Sequence, residues 1–290
     1  MKRILVMLPV ILAALTFNNH DVSALEWPVT ELAPSRFFGQ RAAGVIERGI
    51  TFEKTDTVHA SGNGILLYTM TQNRNMNGFP GTLGNAAIIK HDDGLLTIYG
   101  NLEDVERINE RIHIDLLSTL SRTGQSGWGN PLTLLFQVVD GDKKNILNPL
   151  LLLPPLKDSI GPSIKNVVAL SQQNQQFTLG SVKSVRQGKY RIFAEVTDTL
   201  DKSSIELSPF RISVLINGSE YLTIPFEVLK NNQGRLFLST PDYVWETLYA
   251  ESERMYLGEI TLTRGRSDIS IIARDIAGNE RSVVFGLQIE

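Results

Sequence analysis

The chain has 290 residues, carries a formal net charge of −3 at pH 7 and contains no cysteine. The absence of cysteine excludes disulfides and acylation on a cysteine. The weakly acidic balance argues against nucleic-acid binding, which depends on clusters of Lys and Arg.

Residues 1–24 have the pattern of a secretory signal peptide. A basic start at residues 2–3 precedes an apolar run at 4–17, and Val22-Ser23-Ala24 offers small residues for cleavage after Ala24. The run is shorter than the about 20 residues that span a membrane. We therefore predict export to the periplasm or cell envelope. If the signal segment stays uncleaved, it is the part of the chain expected to contact the membrane.

Residues 25–155 predict a domain of short strands. Apolar runs bounded by Gly, Asn and Asp are typical of buried strands. They lie at residues 65–68, 86–90, 95–99 and 132–139. Residues 103–111 are the one fair candidate for a helix or a turn. Because Pro restricts itself and the residue before it, the neighbouring prolines predict a stiff linker at residues 156–163.

Residues 164–290 predict a second domain of strands, most of them with period-two alternation. Residues 211–216 lead into Asn217-Gly218, a strong signal for a two-residue hairpin turn. We predict an immunoglobulin-like β-sandwich, which makes the whole chain all-β. Asp275 and Asn279 flank a later turn, and we interpret them as partners of its backbone. A calcium site at this turn is the alternative, but too few carboxylates converge in this stretch to favour it.

Four sequence blocks of the first domain occur in an order known from one enzyme family. The blocks are Phe38-Gly39-Gln40-Arg41 with residues 47–52, residues 58–66, residues 87–102, and residues 126–137 with Asn148-Pro149. They resemble the motifs of the LytM (lysostaphin-type) zinc peptidoglycan endopeptidases, in which a Gly/Ser-rich turn leads into a strand reading His-x-His-Phe-Glu. The resemblance implies a compact β core, the duplicated hybrid motif.

The resemblance also identifies the positions where the family carries its chemistry. The family's three zinc ligands match Glu47, Thr51 and Leu135, and its two assisting histidines match Asn101 and Thr133. Leu has no donor atom and Thr is a poor neutral ligand, so Glu47 alone could bind zinc well. Neither Asn nor Thr titrates near neutral pH, so neither can act as general acid or base. We predict no catalytic residue, no metal and no cofactor.

The four histidines of the chain do not suggest a rebuilt site. His20 lies in the signal segment, and His91 matches a family histidine that is not a ligand. His59 lies near a strand end, and His113 alternates with two isoleucines and is expected to face solvent.

Three residues near the former groove are candidates for binding. Trp128 lies on the glycine-rich turn, where we expect it to be exposed, and the other two candidates are Asn130 of the same block and Tyr99 of the block at residues 87–102.

The leading hypothesis is a secreted, catalytically inactive LytM-like protein of the envelope. It would bind peptidoglycan or regulate a cell-wall hydrolase such as an amidase. One alternative is an active peptidoglycan metalloendopeptidase that uses Glu47 with other ligands. The other is an envelope scaffold that does not contact the wall.

Overall fold

The computed structural model describes residues 24–42, 44–72, 81–127, 130–201, 205–238, 243–251 and 254–290. The predicted signal segment up to residue 23 and the candidate Trp128 lie outside these ranges. Among the described residues, no helix is both long enough and apolar enough to cross a membrane.

The chain is an all-β protein, which confirms the fold class predicted from the sequence. The first part contains β1 (Pro34–Arg36), β2 (Arg41–Ala42), β3 (Val45–Ile46), β4 (Ile50–Phe52), β5 (Thr57–His59), β6 (Gly64–Met70), β7 (Asn85–Lys90), β8 (Leu95–Leu102), β9 (His113–Ile114), β10 (Thr119–Arg122), β11 (Leu134–Asp140) and β12 (Asn145–Leu147). The helix predicted at residues 103–111 is a single turn, α1 (Glu106–Asn109), and a 3₁₀ turn spans Pro149–Leu151.

The second part contains the remaining strands and one more helical turn. They are β13 (Ser163–Ser171), β14 (Gln176–Thr178), β15 (Ser184–Val185), β16 (Gly188–Thr197), β17 (Arg211–Ile216), β18 (Ser219–Pro225), β19 (Val228–Asn232), β20 (Arg235–Leu238), α2 (Trp245–Leu248), β21 (Met255–Leu262), β22 (Gly265–Arg274) and β23 (Glu280–Ile289).

The first domain is built on a ten-stranded sheet of the described residues. Its main path runs β20-β19-β12-β11-β8-β7-β6-β9, and β4 pairs with both β11 and β1. Alternate residues of β11, which are Leu134, Phe136 and Val138, are completely buried, as period-two geometry requires. They pack with Phe52 and Tyr99 in one apolar cluster. Three of the five positions singled out by the LytM resemblance lie on strands of this sheet, namely Thr51, Asn101 and Leu135. Glu47 and Thr133 lie on the segments that lead into β4 and β11.

The second domain is a β-sandwich. A four-stranded sheet, β14-β13-β16-β21, and a five-stranded sheet, β15-β23-β22-β17-β18, share one buried apolar cluster. The predicted hairpin turn joins β17 to β18, and both of its residues, Asn217 and Gly218, have positive φ. Positive φ at both central residues is the type I′ geometry that matches the twist of two antiparallel strands.

The two domains share secondary structure, which differs from the separation by a stiff linker that the sequence predicts. The β19–β20 hairpin belongs to the second domain by sequence, yet β19 pairs with β12 and extends the sheet of the first. In return, Phe38 and Ile46 of the first domain are buried in the core of the second. The pairing covers the edge of β12, whose backbone groups would otherwise lack partners.

Candidate functional site

The three positions that match the family's zinc ligands lie together on the sheet of the first domain. Thr51 on β4 and Leu135 on β11 are direct partners in the ladder, so their side chains project from the same face. Glu47 lies just before β4, and its Oε2 accepts a hydrogen bond of 3.0 Å from Thr51 Oγ1. The fold therefore brings Glu47, Thr51 and Leu135 to one place.

The carboxylate of Glu47 already has partners. Arg36 Nε on β1 lies 3.7 Å from Glu47 Oε2, and the Glu47 side chain is only 12% exposed. The guanidinium of Arg36 and the hydroxyl of Thr51 thus face Glu47, which is the one good metal ligand among the three positions. Thr51 is completely buried, and Leu135 offers no donor atom. The residues present do not fit a catalytic zinc, which takes three nitrogen, sulfur or carboxylate ligands.

Asn101 stands where the family has an assisting histidine, and here it holds the surrounding loops together. Its side chain is completely buried and makes five hydrogen bonds to backbone groups. The two hydrogens of Nδ2 are shared among the carbonyls of Gly124, Asn130 and Thr133, which lie 3.0, 3.1 and 2.9 Å away, and Oδ1 accepts from the N–H groups of Ser126 and Gly127 at 3.1 Å each. The Asn101 side chain therefore has a structural role in this protein.

The backbone at Asn101 supports the same interpretation. Its φ is 64°, in the left-handed region, where Asn is tolerated better than other non-glycine residues. Thr133, the other assisting position, is 2% exposed. Its carbonyl is one of the three that Asn101 binds, so these two positions are joined by a hydrogen bond.

The structure separates the three binding candidates from one another. Tyr99 is completely buried, its hydroxyl accepts a hydrogen bond of 2.8 Å from Ser61 N–H, and burial raises its pKa. Because the side chain belongs to the core, it is not accessible to a ligand in this structure, in contrast to its assignment from the sequence. Asn130 is exposed, with its carbonyl bound to Asn101. Trp128 stays a prediction.

None of the hydrogen bonds made by the histidines of the described residues involves Glu47, Thr51, Asn101, Thr133 or Leu135. His91 is buried, with Nδ1 2.7 Å from the carbonyl of Asn63 and Nε2 2.9 Å from Thr97 Oγ1. It therefore supports the turn between β7 and β8. His113 is exposed, as the sequence predicts. His59 Nδ1 is buried without a hydrogen-bond partner.

The second domain holds the segment that leads to Glu47. Tyr249 Oη donates to the carbonyl of Gly39 at 2.8 Å, and Ser208 Oγ donates to the carbonyl of Phe38 at 2.9 Å. Burial raises the pKa of Tyr249, because its ionised form would be unsolvated. The Phe-Gly-x-Arg block is thus anchored by the second domain, a relation that no local pattern in the sequence indicates.

The Asn-Pro pair of the fourth block also joins the two domains. Asn148 is 3% exposed, and its Oδ1 accepts a hydrogen bond from Leu150 N–H, which caps the 3₁₀ turn. Its Nδ2 donates to the carbonyl of Phe226 at 2.7 Å. This pair is therefore structural.

A cavity of about 580 Å³ lies between the β2–β3 hairpin and the second domain. Charged side chains line much of it. They include Arg41 from the first domain and Glu195, Glu206 and Arg254 from the second. Sequence reasoning missed this cavity because its walls come from segments far apart in the chain.

Comparison with solved structures gives matches of low identity. One is the SpoIIQ–SpoIIIAH pore-forming complex, with 18% identity, 45% of this chain and 91% of that chain covered, and a TM-score of 0.35. A second is a mutant catalytic domain of the prophage-encoded M23 protein EnpA from Enterococcus faecalis, with 17% identity, 39% and 83% covered, and a TM-score of 0.32. A third is a set of fibronectin(III)-like modules of CbhA from Clostridium thermocellum, with 10% identity, 77% and 94% covered, and a TM-score of 0.26.

Comparison of sequences identifies a relative. One family model, whose description states no function, matches residues 161–290, a range that includes all strands of the β-sandwich and the β19–β20 hairpin. An uncharacterized protein of Treponema pallidum (strain Nichols) is 32% identical over 124 residues, which are 39% of this chain and 84% of the relative. At this identity and coverage, the chain belongs to the same family as the Treponema pallidum protein.

Proposed function

We propose that this protein is a catalytically inactive, LytM-like protein of the bacterial envelope that binds peptidoglycan. The proposal rests on how the side chains are bonded at the positions that match the zinc ligands and assisting histidines of the LytM enzymes. Glu47 is bound by Thr51 and faces Arg36, and Asn101 is committed to five backbone groups. The scaffold of a hydrolase is kept while its ligand positions serve the fold.

Hydrolysis of a peptide bond at this place would need a group that activates water. A bound zinc ion lowers the pKa of its water to about 7, and a general base with a suitable pKa does the same work. Glu47 is the one ionisable group among the five positions, and it already interacts with Arg36 and Thr51. The chemistry therefore favours binding over cleavage, with the second domain, an immunoglobulin-like sandwich, positioning the first.

We expect the purified protein to contain no stoichiometric zinc and to leave muropeptides uncleaved. Zinc content is measured by atomic emission, and cleavage by chromatography of digested peptidoglycan. One zinc per molecule together with peptide-bond hydrolysis would refute the inactive reading and favour the endopeptidase alternative.

A variant that introduces the zinc ligands of the LytM enzymes tests whether these three positions have the geometry of a metal site. In the triple variant Glu47→His, Thr51→Asp and Leu135→His, we expect zinc binding to appear, because Thr51 and Leu135 are ladder partners and Glu47 reaches Thr51. The double variant without the Leu135 change is the matched control and should bind zinc far more weakly. A folded triple variant that binds no zinc would show that the positions do not form a ligand set.

Wall binding is tested by sedimentation with purified sacculi, in which we expect the protein to pellet. If Trp128 contacts the glycan or peptide, Trp128→Ala should reduce the affinity by roughly tenfold, as expected for an exposed Trp in a binding surface. Tyr221→Ala is the control, because Tyr221 is an exposed aromatic residue of the second domain, 47% accessible. Protein that remains in the supernatant would refute wall binding and support the scaffold alternative.

A further inference from the structure

Three carboxylates from distant parts of the sequence meet at one end of the β-sandwich. Asp158 comes from the segment between the domains, Asp198 follows β16, and Asp275 follows β22. One carboxylate oxygen of each residue lies within 4.8 Å of those of the other two. Asp198 and Asp275 are 4% and 1% exposed, so two of the three acidic groups are out of contact with bulk water.

Two of the carboxylates are held in place by neighbouring groups. Asp275 Oδ1 and Oδ2 accept hydrogen bonds of 2.8 and 2.7 Å from the backbone N–H and the side-chain amide of Asn279. The same amide donates to the carbonyl of Asp158 at 3.1 Å. Asp158 Oδ1 accepts from Ile160 N–H at 3.0 Å. The turn interpreted from the sequence as purely structural therefore also fixes a second acidic residue beside Asp275.

The third carboxylate, that of Asp198, has one buried oxygen that no hydrogen-bond donor or cation reaches in the described part of the chain. Asp198 Oδ1 is buried and has no hydrogen-bond partner. Among the described residues, no Lys or Arg forms an ion pair with any of the three aspartates. Burial, reinforced by the charges of Asp275 and Asp158, raises the pKa of Asp198 to about 7. The backbone N–H of Thr199 donates to this carboxylate, yet a buried carboxylate oxygen that has no partner and faces two other carboxylates is costly unless a cation or a proton joins it.

We propose that Asp158, Asp198 and Asp275 form a calcium-binding site. Calcium takes oxygen ligands at 2.3–2.6 Å, so oxygens on opposite sides of the ion are up to about 5 Å apart, and three oxygens that all lie within 4.8 Å of one another can reach one ion. Magnesium requires about 2.0–2.1 Å and a stricter octahedron, and zinc prefers nitrogen and sulfur donors, so both fit less well. The site is independent of the proposed function of the first domain.

A bound calcium ion would tie the connection between the domains to the sandwich. Asp158 lies in that connection, whereas Asp198 and Asp275 follow strands of the two opposed sheets. The ion would thus join three chain segments at the end of the sandwich nearest the connection. This departs from the prediction of no metal, which considered the turn at Asp275 without the two aspartates that the fold brings to it.

Calcium binding is tested on the purified protein by calorimetric titration with CaCl₂ and by thermal unfolding in EDTA or in CaCl₂. We expect one ion per molecule and a higher unfolding midpoint at about 10 mM CaCl₂, a concentration above the roughly 0.1–1 mM dissociation constants of extracellular calcium modules. Equal concentrations of MgCl₂ should raise the midpoint less. If CaCl₂ gives no heat of binding and does not shift the unfolding midpoint, the proposal is overturned.

Single substitutions distinguish the site from general ion effects. Asp198→Asn should weaken calcium binding by roughly tenfold or more, because charge count sets the affinity of such sites. In EDTA it should unfold no lower than the unchanged protein, because the substitution removes repulsion. Asp158→Asn, at the partly exposed ligand, should also lose affinity, whereas Asp268→Asn, outside the cluster, should not. Equal calcium responses in Asp198→Asn and Asp268→Asn would contradict the assignment.

Discussion

Replacing Asn101 with alanine should reduce the free energy of unfolding by about 3–5 kcal/mol, because five backbone groups lose their partner at once. Each buried group left without a hydrogen bond costs about 1–3 kcal/mol, partly relieved where water enters. The left-handed φ of 64° adds about 1 kcal/mol for alanine. Chemical denaturation monitored by circular dichroism measures the change.

Two further substitutions separate the causes of this loss. Asn101→Gly removes the five hydrogen bonds but accepts the positive φ, so it should be less destabilising than Asn101→Ala by the backbone contribution alone. Asn101→His restores the family's residue, yet we expect it to be destabilised as well, because an imidazole cannot donate to three carbonyls and accept from two N–H groups. A stable Asn101→His variant would show that the loops do not depend on this amide.

Replacing Phe226 with alanine should lower the stability of both domains together, by about 3–5 kcal/mol. Phe226 is completely buried in the second core and packs so closely against Gly39 that a Cβ added to Gly39 would clash with its ring. Its carbonyl accepts the hydrogen bond from Asn148 of the first domain. The lost ring therefore leaves a cavity at the joint between the domains.

Hydrogen exchange provides the readout, because it follows each domain separately. In Phe226→Ala, protection of the amides of β8 in the first domain and of β16 in the second should fall by the same amount. Tyr221→Ala truncates an exposed ring and should change stability by less than about 0.5 kcal/mol. Loss of protection in β16 with β8 unchanged would show that the domains unfold independently.

Much of the first sheet could be predicted from local patterns. The runs predicted at residues 86–90 and 95–99 are β7 and β8, and the Asn217-Gly218 turn joins two strands as expected. These features depend on neighbours in the sequence, where alternation and turn chemistry are visible. The stretch at residues 103–111, predicted as a helix or a turn, contains a single helical turn, and its apolar residues Val105 and Ile108 are buried in the core of the first domain.

The pairing of β12 with β19 could not be predicted in this way. It joins residues on both sides of a proline-rich connection, and nothing in either strand specifies its partner. For the same reason the sequence did not reveal that Phe38 is buried in the second core, or that three aspartates converge. Tertiary contacts between distant segments decide these features.

The sequence indicated which positions of the candidate site lie together, but it did not indicate the hydrogen bonds that their side chains make. The resemblance identified Glu47, Thr51 and Leu135, which the fold brings together. The role of Asn101 depends on where the backbone groups at residues 124, 126–127, 130 and 133 lie, which no propensity fixes. Tyr99 was chosen as a binding residue from its place in a motif, whereas its alternation along β8 points it into the core.

The strand ladder that continues from the first domain through β12 into β19 has a mechanical consequence. Two modules on a flexible tether can swing freely, so a load on one is not felt by the other. Here, tension applied to the first domain would be carried through the backbone hydrogen bonds between β12 and β19 into the sheet edge that the second domain supplies. The two domains would then resist a change in their relative orientation, because such a change would break the hydrogen bonds of this ladder.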